Sequence, residues 1–223
     1  VFISGGLTDV ITIASGANIS AGNDVLDLTL GTVNGVINLG ANITAGGTGG
    51  IILDLSTVNL TGAVSLKTQG TGNAADITLA SVNGNQNLTL ETPAVSGSAI
   101  TLSSVGQATA LNTITVTNSG GVTVSGNFNG SVVLTDTTGA VAFTGTNTTI
   151  SKLTTAAKGY SVAFGDGQAD TTVLSGAPVF LNTGGVSFQG TTSLITGATI
   201  TGNAASTVTL ANTIVSGGAF NIG

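Results

Sequence analysis

Short apolar runs with one small polar residue at the centre recur along the chain, and this alternation restricts the fold more than any other feature. Ile77-Thr78-Leu79, Leu88-Thr89-Leu90, Ile100-Thr101-Leu102, Ile114-Thr115-Val116 and Val122-Thr123-Val124 have this form. Val141 to Phe143, Val162 to Phe164, Val186 to Phe188 and Val208 to Leu210 continue it. Apolar residues at every second position are the signature of half-buried strands. A central Thr is β-branched and suits the outer side of a pleated surface. Successive runs lie about ten residues apart, which fits many short strands joined by turns.

The punctuation between runs agrees. Asn34-Gly35, Asn83-Gly84 and Asn129-Gly130, with pairs such as Gly46-Gly47 and Gly184-Gly185, supply residues that tolerate positive φ. Pro93 and Pro178 sit beside run boundaries, where a missing N–H donor matters least. The abundance of Gly and Thr disfavours helix.

Repetition of one short unit predicts a repeat architecture across residues 1–223 as a single all-β domain, a parallel β-solenoid. Two or three strands would form a rung of roughly 20–30 residues. Rungs stacked at the strand spacing give a rod on the order of 40–50 Å long. Val, Ile, Leu and Phe would point inward in ladders, with Thr, Ser and Asn in rows outside. Tandem β-sandwich modules are the alternative, since they also place strands every eight to twelve residues. A transmembrane barrel would need longer strands and aromatic girdles, but aromatics are 4% of the chain. No apolar run approaches the length of a spanning helix.

The missing residue types exclude much chemistry. His, Cys, Met, Trp and Arg are absent, and the only cations are Lys67, Lys152 and Lys158. Without His there is no ordinary general base near neutral pH, and without Cys no thiolate nucleophile or zinc–thiolate site. A net charge of −6 leaves no basic footprint for nucleic acid. Charged residues are 5% of the chain, and none occurs from Thr171 to Gly223. A surface this neutral suits a protein that packs against copies of itself or against adjoining rungs. The start at Val1-Phe2-Ile3 without Met suggests a processed chain or part of a longer polypeptide.

The stretches ITLASVNGNQNLTLET (from Ile77), ITLSSVG (from Ile100) and ALNTITVTNSGGVTVSG (from Ala110) resemble the β-strand repeats of giant bacterial exoproteins of the filamentous-haemagglutinin type. LTTAAKGYSVAF from Leu153 and PVFLNTGGVSFQG from Pro178 resemble them too. The resemblance covers over half the chain. It implies a right-handed parallel β-helix, export to the bacterial cell surface, and roles in adhesion, biofilm or surface layers. It brings no catalytic residue.

Candidate sites are few. Gly165-Asp166-Gly167-Gln168-Ala169-Asp170 places two carboxylates on a Gly-rich loop, so Asp166 and Asp170 are candidate calcium ligands. The competing reading is a solvated turn that uses Asp and Gly for their backbone tolerance. Asp24 with Asp27 is a second, weaker acidic pair. The remaining acids (Asp9, Asp54, Asp76, Glu91 and Asp136) are scattered, which argues against a carboxylate-pair glycosidase. Thr115-Val116-Thr117, Thr199-Ile200-Thr201 and Thr207-Val208-Thr209 have the local form of ice-binding rows, but do not recur at one spacing. The expectation is therefore a non-enzymatic, extracellular structural protein: a shaft or scaffold, or alternatively a self-assembling filament or layer subunit. Surface polysaccharide is a candidate partner.

Overall fold

A computed structural model describes residues 10–27, 35–47, 49–54, 57–70, 75–95, 97–200 and 207–223. Every assigned strand pairing among them is parallel, and the strands wind into a β-solenoid with three faces. One turn shows the plan. Val36–Leu39 lies on the first face, Ile43–Ala45 on the second and Ile51–Leu53 on the third. The chain then returns to the first face at Thr57–Leu60, which pairs with Val36–Leu39 in register. The alternating pattern fixes that register, because a slip of one residue would turn every apolar side chain outward.

The third face has the most continuous ladder. Leu26, Ile51, Ile77, Ile100, Val122, Val141, Val162, Val186 and Val208 stack one on the next. A turn takes 19 residues from Val122 to Val141 and 26 from Ile51 to Ile77, so loops absorb the difference while the strands hold their columns. Tandem sandwiches, whose sheets are antiparallel, do not fit this pairing.

Two positions along the third face sits the second inward column. It runs Leu53, Leu79, Leu102 and Val124, then Phe143, Phe164 and Phe188, and ends at Leu210. The rings of Phe143, Phe164 and Phe188 lie nearly parallel, with centroids 5.5 and 5.3 Å apart. That is close to the spacing of neighbouring strands, so the backbone ladder itself sets the stack. Phe128 and Phe180 meet these rings edge-on.

The first face departs from the expectation that inward positions are apolar. Its column runs Ile37, Val58, Val82, Val105 and Phe128, then Thr148, Thr172 and Thr192, and returns to Ile214. The three threonines are buried, and the Oγ1 atoms of Thr148 and Thr192 have no hydrogen-bond partner. They fall in the turns where the third face contributes Phe143, Phe164 and Phe188. A core packed to constant density needs smaller side chains opposite the rings; nothing in the structure explains Thr rather than Val there.

Asn129-Gly130 does not form the expected turn. Both residues lie within the strand Phe128–Leu134, which passes from the first face to the second with a register slip between Gly130 and Val132. A Cβ on Gly130 would stand 3.0 Å from the Leu111 carbonyl oxygen, so glycine lets the strand bend tightly at this corner. Asn83-Gly84 does turn, with Gly84 at φ 116°; no non-glycine residue among those described has positive φ. In the last described turn, Leu210 and Ile222 occupy inward columns yet remain 46% and 51% exposed.

Candidate functional site

The loop from Gly165 to Asp170 is closed by its own carboxylate. Asp170 is buried, and its Oδ2 accepts the backbone N–H groups of Asp166 and Gly167, each at 2.8 Å. The Asp170 carbonyl then accepts the N–H of Thr191 in the next turn, and the Gln168 carbonyl accepts from Asn212 Nδ2 at 3.3 Å. Asp166 is exposed beside this bracket. The geometry is that of a self-capped turn, with one carboxylate oxygen of the pair already engaged by two donors. Asp24 is exposed and Asp27 half-buried on the edge of the third face. Asp9 lies outside the described residues. Among the described residues, no three acidic, His or Cys side chains come together in a way that could hold a metal ion.

The other polar side chains mostly join one turn to the next. Asn42 Oδ1 accepts the Ser65 N–H at 2.8 Å, Asp76 Oδ1 the Ala99 N–H at 2.7 Å, and Asn127 Oδ1 the Asn147 N–H at 3.0 Å. Asn83 Oδ1 accepts from Ala108 at 2.9 Å. Each side chain reaches up one rung and satisfies a backbone donor at the start of a strand (Ser65, Asn147) or between strands (Ala99, Ala108). Sequence reasoning missed this role. Its signal was present, since Asn42 and Asp76 stand directly before the apolar runs that begin at Ile43 and Ile77.

Two of the three lysines are also paired between turns. Lys67 Nζ lies 2.6 Å from Glu91 Oε1, its register partner, and Lys158 Nζ lies 3.0 Å from Asp136 Oδ1. Lys152 is exposed on Asn147–Thr154. Of the acids expected to be scattered, Asp76 therefore serves a corner, and Glu91 and Asp136 form cross-rung pairs.

Tyr160 is buried, and its hydroxyl accepts the N–H of Ala156 at 2.8 Å. Burial pushes the phenol above its ordinary pKa, and the hydrogen bond from Ala156 only partly offsets this. The Tyr160 carbonyl receives Asn182 Nδ2 at 3.1 Å and the Gly184 N–H at 3.1 Å, so this residue ties together a corner of the coil. No aromatic side chain among the described residues is exposed; Phe220 alone is half-buried. A ring that could stack on a sugar is thus not on the described surface.

The three threonine motifs fall on two faces. Thr115 and Thr199 share one outer row of the second face, but Val133 and Val179 stand between them. Thr209 is on the third face, and Thr201 lies outside the described residues. Thr117 Oγ1 faces Leu90 O and Glu91 Oε2 at 3.4 Å. The most regular outer row is on the third face, where Thr78, Thr101 and Thr123 are followed by Ala142, Ala163, Ser187 and Thr209. One open surface depression is bordered by the small residues Ala94, Gly120, Thr138 and Gly139, and another by Lys152, Leu153, Val179 and Leu181 among others.

No family model, no curated protein and no solved structure matches this chain.

Proposed function

We propose that this chain is a non-enzymatic β-solenoid shaft or scaffold of a large adhesin-like exoprotein on a bacterial cell surface, comparable to the strand-repeat regions of the filamentous-haemagglutinin type. The observation that carries the reading is the third-face ladder, which keeps register from Leu26 to Val208. A rod built this way is held from turn to turn by hydrogen-bonded columns and by the inward apolar columns of its third face. Its function is then mechanical: it sets a distance between whatever lies at its two ends. The low charge and the use of acids as turn locks support this reading, as does the lack of exposed aromatic residues among those described.

Electron microscopy of the purified 223-residue chain, together with a denaturing immunoblot of the source cells, tests the proposal. The shaft predicts discrete rods on the order of 40 Å long and a parent band far larger than 21.4 kDa. A cell-derived band at the mass of the chain itself, with globular particles in the microscope, would overturn it.

The second reading is a self-assembling subunit of a surface filament or layer. It is supported by the neutral surface, since charged residues are 5% of the chain and none occurs from Thr171 to Gly223, which suits packing against copies of the chain. Filaments that lengthen with concentration, with a cell-derived band near 21.4 kDa, would support the subunit over the shaft. A calcium-dependent adhesin remains the lesser variant. It requires the melting temperature to rise with added calcium, and that rise to vanish in Asp166→Asn. Surface polysaccharide as a partner predicts retention of the rods on a polysaccharide column.

A further inference from the structure

We draw no further inference here: the strongest candidate, the outer row of the third face where Thr78, Thr101, Thr123, Ala142, Ala163 and Ser187 stack without a charged side chain, is a stripe of small residues, and nothing in the structure shows what covers it.

Discussion

Single polar atoms inside the coil differ sharply in what they contribute. Thr155 Oγ1 donates to the Val179 carbonyl at 2.9 Å and accepts the Leu181 N–H at 2.7 Å. Replacing it with Val leaves both backbone groups without that partner and is expected to cost ~1–3 kcal/mol. Thr192 is equally buried but its Oγ1 has no partner. Thr192→Val removes an unsatisfied hydroxyl at constant shape, so chemical denaturation should show unchanged or higher stability. Tyr160 gives a test in pH. Its pKa is raised in the fold by burial, so the protonated phenol favours the folded state. The stability this provides is complete below the unfolded value near 10 and is lost as pH rises through the higher folded value. The melting temperature of the wild type should fall in that alkaline window more steeply than that of Tyr160→Phe. Everything but the hydroxyl is common to both proteins, so the difference between the two curves isolates the phenol.

At the level of the element, the strands draw their strength from columns as well as from their own sequences. The three-residue strand Val162–Phe164 has no stability alone, yet it sits between Val141–Phe143 and Val186–Phe188 with every residue in register. Phe164 touches the rings of Phe143, Phe180 and Phe188. Phe164→Ala should therefore cost ~3–5 kcal/mol by urea denaturation. A double-mutant cycle between Phe143 and Phe164 should return a coupling of ~0.5–1.5 kcal/mol, the part due to ring contact. Additive losses would mean that the stack is only a by-product of register. Corners depend on glycine in a few places. Gly106 has φ 70°, and a Cβ there would lie 2.1 Å from the Asn129 carbonyl oxygen. Gly106→Ala should destabilise by more than ~1 kcal/mol, since it combines strain with a backbone clash.

A solenoid is nearly one-dimensional, so each turn is held only by the turns beside it. Stability should then vary along the axis. Hydrogen exchange on the intact chain is expected to show strongest protection in the turns that carry Phe143, Phe164 and Phe188. Protection should be weak in the last described turn, at Val208–Leu210, Ile214–Ser216 and Phe220–Ile222, where the core columns are half exposed. Uniform protection from end to end would instead indicate one cooperative unit. Trypsin is expected to cut the folded rod at Lys158, exposed in a bend outside the strands, before Lys67, which lies in a strand with register partners on both sides.

The sequence by itself determined that this protein is an all-β repeat. Alternation with period two at Ile77-Thr78-Leu79 and its counterparts forces one face of each strand inward, and that property is local. It also made the chemistry of the chain legible, because absent side chains need no structure to be absent. Tertiary stacking decided the rest. Whether an inward position takes Phe, Leu or Thr depends on what fills the same turn from the other faces, so the buried column of Thr148, Thr172 and Thr192 could not be read from strands taken singly. Whether Asn-Gly makes a turn or a bent strand could not be read from the pair itself, since Gly84 takes φ 116° whereas Gly130 lies inside the strand Phe128–Leu134. The fate of Asp170 depends on two N–H groups that only the folded loop brings within reach of its carboxylate. Periodicity is a property of a segment, whereas volume, close approach and donor supply belong to the stacked turns.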